Sequence, residues 1–312
     1  MKSEIQNPAP ISEAGQGPKT EIRFVVSSSP HLFSEENIPR IMHAVILALV
    51  PAMAVGVYFF GLRVLWLYLM CIVSSVATEY IFQKARKKPV KVNDGSAIIT
   101  GLLLALTLPP TFPLYMASLG SIFAIAIGKQ IFGGLGYNIF NPALLGRAFL
   151  QAAFPVQITN YIEPFARGVD VVASATPLAL MKFEGKTTPY LHLFFGNVGG
   201  SIGETSAIAI IIGGLYLRYR GYINWKLPLG YLSSIAFFGA IFWYVDPSKY
   251  PDPLFYILSG GAMLAAFFMV TDMVTCPVTP TGQWIFAVVA GLLTVLIRLL
   301  SGLQEGVMYS IL

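Results

Sequence analysis

The chain has 312 residues, of which 55% are hydrophobic and only 11% charged, with a formal net charge of +5 and a mean hydropathy of +0.69. Soluble domains carry about a quarter charged residues, so this composition excludes an ordinary soluble domain and indicates an integral membrane protein. Two cysteines in different settings and three histidines without ligand spacing argue against a disulfide scaffold, a metal site or haem held by paired histidines. Both cysteines, Cys71 and Cys276, are expected to be free thiols.

Residues 1–39 are polar and mixed in charge, and they lack the apolar core of a secretory signal peptide. We expect this segment to be a cytoplasmic tail. Residues 41–60 then contain no Asp, Glu, Lys or Arg over the roughly 20 positions that a helix needs to cross a bilayer. Hydropathy predicts spans at 40–60, 63–83, 95–108, 114–132, 140–154, 205–218, 226–245, 254–270 and 283–300. A tenth span begins near Glu305 and is expected to be incomplete, because the chain ends after about two turns.

Residues 40–154 and 204–312 show the same succession of two helices, a break, a helix that ends in a proline-rich stretch, another helix and a short one. The proline-rich stretches are LTLPPTFP at 106–113 and TCPVTP at 275–280. Because five helices per half is an odd number, tandem halves must have opposite orientations, an arrangement in which broken helices meet near the midplane. We therefore predict an all-α integral membrane fold of about ten transmembrane helices in two inverted five-helix repeats with broken or re-entrant helices. Residues 155–203 form an outer loop between the repeats.

The basic residues predict the orientation, since Lys and Arg in short loops are retained in the cytoplasm. With the N-terminus inside, 13 of the 20 Lys and Arg residues fall in cytoplasmic segments, including the block KARKKPVK at 84–91 and Lys129. This orientation places Thr176 on the extracytoplasmic side.

Two asparagines flank a break before the fifth predicted span, in GYNIFNPALLGR. The span 140–154 is too short to cross comfortably, so Asn138 and Asn141 are expected at a point where the chain re-enters the membrane. Unpaired amides at membrane depth cost several kcal/mol, so they must face protein, water or a ligand. The edge of a ligand with hydrogen-bond donors and acceptors would complement them. Alternatively, Asn141 before Pro142 is a helix cap.

Ionisable residues at membrane depth are functional candidates by default, and four stand out: Glu79, Asp94, Arg147 and Asp272. Asp94 and Asp272 lie in loop-like breaks on the inner side, where they either line a ligand or cation site or cap a neighbouring helix. Glu79, near an inner helix end, is expected to pair with Lys84 or to reach water. Glu79 and Asp94 are the candidates for an ion path.

The stretch DVVASATPLAL, residues 170–180, lies in the long polar outer loop. Ser174 or Thr176 is predicted to cap a short helix there, because Pro177 fits the first helical position and LALMKF supplies an apolar face. A helix start also favours a phosphate group, so a cap and a phosphate site are compatible at this point.

A glycine-rich segment, GNVGGSIGETS at 196–206, lies at the outer entrance to the sixth span. Its glycines, Gly200 among them, would let the backbone beside Ser201 approach a ligand closely, and Glu204 suits a first helical turn. The alternative is an ordinary glycine-rich entrance to a helix. A nucleotide loop is not indicated, because no strand precedes the segment.

DVVASATPL is similar to the flavin-attachment motif of a family that joins two membrane subunits. These are the D subunit of the Rnf ferredoxin:NAD oxidoreductase and the B subunit of the sodium-pumping NADH:quinone oxidoreductase. The resemblance continues in order through DGSAIITGLLLALTLPP, FGGLGYNIFNPALLGRAFL, GGSIGETSA and TDMVTCPVTPTGQW. The short N-terminal tail favours the Rnf family member over the quinone-reducing one.

The resemblance implies that FMN is attached to Thr176 through a phosphoester bond. Asp170 and Ala175 occupy the other signature positions, and Ser174 compensates for Ala173, which stands where the family often has a hydroxyl residue. A threonine before proline favours an extended backbone, which would present a solvated hydroxyl to a flavin transferase outside the membrane.

The resemblance also implies a non-covalent riboflavin on the cytoplasmic side, at Asn138, Asn141 and Leu144. The further cofactor-binding candidates are Gly200, Ser201, Glu204 and Asp272. The chain would pass single electrons from the outer FMN to the inner flavin, as a component of a complex in the bilayer of a bacterial cytoplasmic membrane. Other Rnf-type subunits would oxidise ferredoxin and reduce NAD, because this chain has neither a dinucleotide-binding pattern nor a cysteine set for an iron–sulfur cluster. No catalytic residue, metal site or nucleic-acid partner is expected.

Three other interpretations stay open at this point. The chain could be the B subunit of the sodium-pumping enzyme. It could be a channel for urea or ammonium, since inverted five-helix repeats resemble the folds of proteins that transport these solutes. A single histidine, His43, is weak evidence for such a pore. It could also be a purely structural membrane scaffold.

Overall fold

The computed structural model describes residues 36–87, 89–165, 173–247, 249–301 and 306–312. Asp170 and residues 1–35 lie outside this part of the chain. The predicted role of Asp170 in the attachment motif and the predicted cytoplasmic tail therefore stay predictions.

The first half of the described chain is helical. Its elements are α1 (Ile38–Phe60), α2 (Arg63–Ala85), a 3-10 turn (Val92–Asp94), α3 (Ser96–Leu106), α4 (Leu114–Ile125) with a π-helical continuation (Ala126–Gln130), and α5 (Pro142–Ala153). All five segments predicted as apolar helices in this half are confirmed as helices, with bounds within a few residues.

Short elements connect the halves. They are α6 (Pro155–Ile158), β1 (Tyr161–Ile162), β2 (Ala173–Ser174), α7 (Pro177–Ala179) with a π-helical continuation (Leu180–Glu184), α8 (Tyr190–Phe195) and a 3-10 turn (Ile202–Glu204). The strands pair antiparallel, with Tyr161 opposite Ser174, which brings the two ends of the intervening loop together. This sheet has only two residues in each strand, so the described chain is mostly helical, as the predicted all-α membrane fold requires.

The second half contains α9 (Ala207–Tyr219), α10 (Lys226–Val245), α11 (Pro253–Leu258), α12 (Ala262–Leu264) with a π-helical continuation (Ala265–Met269), α13 (Pro280–Leu300) and α14 (Val307–Ile311). The predicted span 254–270 is therefore two short helices rather than one. The break falls at Gly260 and Gly261, whose φ angles of 57° and 63° lie in the left-handed region that interrupts a right-handed helix.

Polar caps followed by proline start several of these helices. The side chains of Asn141, Asp252 and Thr279 accept hydrogen bonds from backbone amides two or three residues later, at 3.0, 2.8 and 3.2 Å. In each case the next residue is proline, which lacks an amide hydrogen and has the φ angle of a first helical turn. The sequence thus determines locally where α5, α11 and α13 begin.

Four helices of the described chain are long and apolar enough to cross a membrane: α1, α2, α10 and α13. α3 and α9 are shorter apolar helices. Large apolar side chains such as Trp66, Phe237 and Ile285, each at least 60% exposed, cover the outside of the molecule, as lipid contact requires. These features define a helical, multi-pass membrane protein.

The two ends of α1 lie at opposite faces of the molecule. At its C-terminal end, the amide of Phe165 donates to Phe59 O at 2.8 Å, which places α1 beside the loop that contains β1 and β2; we call this end the threonine face. At its N-terminal end, Met42 and Asn138 line one cavity; we call this end the asparagine face. A helix of 23 residues is about 34 Å long, so the faces are separated by roughly a bilayer thickness.

Small residues let the helices approach closely, as is common in membrane proteins. A methyl group at Gly213 of α9 would overlap the backbone oxygen of Ala48 in α1. A methyl group at Gly101 of α3 would lie 2.7 Å from the backbone oxygen of Cys71 in α2. Both cysteines are free thiols, as expected.

Gly213→Ala is expected to destabilise the protein by about 1–3 kcal/mol, because the new methyl group must push α1 and α9 apart. Thermal unfolding in detergent would show this as a lowered Tm. The matched control is Ile212→Ala on the same helix, where the side chain is 53% exposed. Equal Tm values for the two variants would contradict this packing of α1 against α9.

Candidate functional site

Thr176 caps the short helix on the threonine face. Its backbone is extended, with φ −66° and ψ 156°, and its Oγ1 accepts a hydrogen bond from the amide of Ala179 at 3.2 Å. The predicted cap and the predicted extended backbone are both confirmed. The expected solvated hydroxyl is wrong, because the residue is only 4% exposed. α7 is held inward by a small apolar cluster that includes Leu178 and Phe255.

A cavity of about 250 Å³ lies beside this cap. The residues on either side of Thr176 line it, together with a carboxylate, an imidazole and an amide from other parts of the outer loop. These residues include Ser174, Ala175, Pro177, Glu163, His192 and Asn197. The predicted candidates Ser174 and Ala175 are thus brought to one polar pocket, where Ser174 Oγ lies 3.4 Å from Glu163 Oε1.

The glycine-rich segment reaches this cavity through Gly199, which the sequence did not single out. A methyl group at Gly199 would lie 3.2 Å from Ser174 Oγ. Gly200 instead adjoins the Glu204 carboxylate, which itself lies against Gly261 at the start of α12. Gly200 and Glu204 therefore lie between the cavity and α12.

Lys182 joins the end of the α7 segment to the last turn of α13. Its ammonium donates to the backbone oxygens of Arg298 and Ser301 at 2.6 and 2.5 Å. Partial burial lowers the pKa of Lys182, because removal from water disfavours the charged form. The segment that begins at Thr176 is thus anchored six residues later.

A second cavity, of about 100 Å³, lies on the asparagine face between the two halves of the chain. Asn138, Asn141 and Asp272 all line it, together with Lys129 and Tyr222. Asn138 and Asn141, which were predicted to share a site, therefore lie at the same cavity as Asp272, which was predicted separately. We call this the asparagine-face cavity.

Leu144, which the sequence placed with these asparagines, packs in the main hydrophobic core. Asn141 Oδ1 accepts from the amides of Ala143 and Leu144, so the alternative role as a helix cap is confirmed. That role uses only the carbonyl oxygen of the side chain. Asn141 also lines the cavity, and the Asn138 amide donates to Phe140 O at 3.2 Å.

Asp272 orders the loop between α12 and α13. One carboxylate oxygen accepts from the amide of Val274 at 3.3 Å, and the other accepts from Thr275 Oγ1 at 3.1 Å. Burial raises the pKa of Asp272, and these two hydrogen bonds oppose the rise. The group therefore takes up a proton at a higher pH than an exposed aspartate.

Glu79 forms a buried ion pair that the sequence did not predict. Lys129 Nζ lies 2.8 Å from Glu79 Oε1, and the two side chains are 2% and 1% exposed. The carboxylate also accepts from the amides of Gln130 and Gln83 at 2.9 and 3.2 Å. The expected pairing with Lys84 or with water is wrong: Lys84 lies 5.8 Å from the centre of the Tyr80 ring instead.

Asp94 is linked to this pair through a serine. Asp94 Oδ1 accepts from the amide and the hydroxyl of Ser96, the first residue of α3, at 2.9 and 2.6 Å, while the N-cap position of α3 is Gly95. Ser96 Oγ in turn accepts from Lys129 Nζ at 2.6 Å. Asp94 and Glu79 line a further cavity of about 570 Å³ on this face, which we call the carboxylate cavity. Arg147, the fourth ionisable residue, is buried on α5, away from both cavities.

The molecule is therefore a multi-pass membrane protein with cavities on opposite faces, each lined in part by polar side chains. Residues 25–312 match the NQR2, RnfD, RnfE family, and the chain belongs to this family.

Curated relatives span nearly the whole chain. It is 47% identical to the D subunit of the proton-translocating ferredoxin:NAD(+) oxidoreductase complex of Clostridium ljungdahlii, over 93% of this chain and 90% of the relative. It is 49% identical to the D subunit of the Na(+)-translocating ferredoxin:NAD(+) oxidoreductase complex of Acetobacterium woodii, over 94% and 90%. It is also 37% identical to the D subunit of the ion-translocating oxidoreductase complex of Cronobacter sakazakii, over 93% of each chain.

Lys129→Met is expected to lower the stability by about 3–5 kcal/mol, because it leaves the Glu79 carboxylate charged and buried without its partner. The control is Lys186→Met, which breaks the Lys186–Glu184 pair of the same 2.8 Å length but with side chains 73% and 48% exposed. That variant should keep the wild-type Tm, since water replaces the lost contact. Equal losses of Tm would contradict the burial of the Glu79–Lys129 pair.

Proposed function

We propose that the chain is the membrane electron-transfer subunit of an ion-translocating ferredoxin:NAD oxidoreductase of the Rnf type. It would carry FMN esterified to Thr176 and a non-covalent riboflavin in the asparagine-face cavity. The observation that carries the proposal is the pair of cavities at opposite ends of α1, each with polar side chains in its lining, one of them beside the threonine of the attachment motif. The printed names of the relatives support the class of complex.

The residues around Thr176 fit an esterified phosphate. The threonine begins a helical segment, where backbone amides and the helix dipole favour negative charge. The adjoining cavity offers the Ser174 hydroxyl, the Asn197 amide and His192 as polar partners. Attachment would require Oγ1 to turn from the amide of Ala179 towards that cavity. Bound FMN supplies one-electron chemistry, and this chain holds and orients it.

The asparagine-face cavity fits the edge of an uncharged flavin. Asn138 and Asn141 present amides, and Asp272 and Tyr222 add further polar groups. Met42 and Phe267 supply apolar surface for the faces of a ring. A polar edge and apolar faces are the complement that a flavin ring requires.

The membrane arrangement proposed with this function is ten helices in two inverted halves. A repeated contact supports it: Lys129 donates to Ser96 at the start of α3, and Arg298 donates to Ser259 O and Gly260 O just before α12. In each half, a buried basic side chain thus donates to the start of a short helix: Lys129 of the α4 segment in the first half, and Arg298 of α13 in the second. With the N-terminus cytoplasmic, the threonine face would be extracytoplasmic.

Electron passage between the two faces would couple to the membrane potential. Moving one charge across it costs about 2.3 kcal/mol per 100 mV, so a difference in flavin potential or a coupled cation movement must offset the cost. Ferredoxin oxidation and NAD reduction would belong to other subunits of the complex, and a flavin transferase would attach the FMN. The complex would lie in a bacterial cytoplasmic membrane.

Thr176→Val is expected to abolish covalent flavin, because it removes the only atom that forms the ester. Flavin fluorescence of the denatured protein in a gel and the intact mass would both report the loss. Thr176→Ser should keep the flavin, since the hydroxyl remains.

The matched control is Thr188→Val, which alters another threonine at the same cavity and should keep the covalent flavin. A wild-type chain matured in its native host without added FMN mass would contradict the proposed attachment. In that case a solute channel or a scaffold becomes the better interpretation.

Asn141→Asp is expected to distinguish the role of this residue as a helix cap from its proposed role in binding riboflavin. Aspartate caps a helix as well as asparagine does, so the start of α5 should be kept. Loss of the NH2 donor and addition of a negative charge should reduce bound riboflavin at least about tenfold, measured by chromatography of an acid extract. Asn141→Ala should lose both the riboflavin and about 1 kcal/mol of stability. Full riboflavin content in Asn141→Asp would contradict this position for the cofactor.

A further inference from the structure

A further cavity on the threonine face has a basic lining. Its volume is about 210 Å³, and no aspartate or glutamate is among the described residues that line it. Three basic side chains, two tyrosines and apolar side chains form the lining, among them Lys182, Lys249, Arg298, Tyr250, Tyr256 and Leu299. We call this space the basic cavity. A cavity lined by charges of one sign concentrates ligands of the opposite sign, so an anion is the expected ligand.

The two lysines of the basic cavity have no carboxylate partner within the described chain. The Lys182 ammonium donates to two neutral backbone oxygens, those of Arg298 and Ser301, at 2.6 and 2.5 Å. An ammonium has three N–H groups, so one is left for a ligand. Lys249 is exposed, and its ammonium lies 5.4 Å from the centre of the Tyr250 ring. Both positive charges are therefore available to an anion in the cavity.

Arg298 brings a third positive charge to the cavity from a buried position. The residue is 3% exposed, and its guanidinium donates to the backbone oxygens of Tyr256, Ser259 and Gly260. These hydrogen bonds hold the guanidinium in place and tie the end of α11 to α13. Part of the positive charge is thus fixed by the packing of the helices.

The position of these basic residues is unusual for the predicted orientation. Of the 20 Lys and Arg residues, 13 fall in the predicted cytoplasmic segments, and three of the other seven line this one cavity. Basic residues are normally less frequent on the extracytoplasmic side. An anionic ligand explains their concentration at one cavity, whereas the orientation rule does not.

The basic cavity lies at the edge of the apolar part of the molecule. The loop that follows α10 and the last turn of α13 both line it, and these are two of the four helices long enough to cross a membrane. The two helices run in the same direction, since Gly230 lies against Ala287 and Gly291 lies against Ser234. Leu300, at the end of α13, is 80% exposed. Apolar surface of this kind is covered by lipid chains.

We infer that the basic cavity binds the phosphate of one anionic phospholipid from the leaflet on the threonine face. The ammonium groups of Lys182 and Lys249 attract the phosphate, as in other basic pockets between membrane helices. Tyr250 and Tyr256 add hydroxyl groups at the level where tyrosine meets both lipid and water. A free phosphate has the same charged group, but the apolar surface at Leu299 and Leu300 favours a ligand with hydrocarbon chains.

A bound headgroup connects the segment that begins at Thr176 with the long helices. Leu178 and Met181 of that segment line the same cavity as Leu299 of α13. A ligand that binds only the folded arrangement stabilises it. The lipid therefore helps to hold this segment against the end of α13, and this role does not depend on the proposed flavins.

The test is native mass spectrometry of the full chain in detergent. The chain is titrated with phosphatidylglycerol, with phosphatidylcholine of the same acyl chains, and with inorganic phosphate. We expect one phosphatidylglycerol per chain, bound at least about fivefold more tightly than phosphatidylcholine, because the choline cation cancels the phosphate charge. Phosphatidylglycerol should also raise the Tm, and inorganic phosphate at the same concentration should not.

Lys249→Glu is expected to weaken phosphatidylglycerol binding about 25-fold, since it changes the charge by two units at about fivefold each. Because Lys249 is exposed, this variant should keep the wild-type Tm without lipid. Lys182→Gln should weaken binding about fivefold, and its Tm without lipid reports any folding defect. The matched control is Lys186→Glu, which reverses a 73% exposed lysine on the same face and should keep the wild-type affinity.

Three outcomes would overturn the inference. Equal affinities for phosphatidylglycerol and phosphatidylcholine would show that the charge of the cavity plays no part. Equal losses in Lys249→Glu and Lys186→Glu would show a response to the overall surface charge instead of a site. Displacement of phosphatidylglycerol by an equal concentration of inorganic phosphate would identify a free anion as the ligand. Thr176 is unchanged in every variant, so none of these outcomes bears on the proposed function.

Discussion

The lipid bilayer offers no hydrogen-bonding partner, so every helix end and every charge within it must be satisfied by the protein. This constraint governs the structure, because the chain repeatedly breaks its helices instead of running them through. Each break is matched by a specific polar group: Asn141 caps α5, Asp252 caps α11, and Arg298 donates to three backbone oxygens between Tyr256 and Gly260. The polar cavities exist because the breaks leave room that side chains then line.

The threonine face and the asparagine face both combine a capped helix start with a cavity, but the two arrangements differ. On the threonine face, a capped helical start lies beside an open polar pocket, an arrangement suited to a cofactor held by a bond. On the asparagine face, amides from one half and a carboxylate from the other converge on one cavity, an arrangement suited to a cofactor held by shape and hydrogen bonds. The Glu79–Lys129 pair adds a charged contact behind that cavity.

Local features of the structure could be predicted from the sequence, and long-range ones could not. The caps at Asn141 and Thr176 followed from a polar residue before proline, since such signals act within one helical turn. The partner of Glu79 lies 50 residues away, so its identity depends on how α2 packs against the α4 segment. A lysine inside a predicted span, Lys129, is the one feature of the sequence that points to a buried acidic partner. In the sequence analysis, this lysine serves only to predict the orientation in the membrane. The burial of Thr176 likewise depends on tertiary contacts of α7.

Lys182 fixes the position of the segment that begins at Thr176. It binds the end of α13 only six residues after Thr176, about 9 Å along a helix. The ring of an FMN attached to Thr176, as proposed, could therefore move only as far as its own linkage allows. It could not move over the larger distance that a mobile loop would permit. Under the proposed function, an electron donor or acceptor on the threonine face would have to approach that ring, so the docking geometry of neighbouring subunits would determine which redox centres exchange electrons with it.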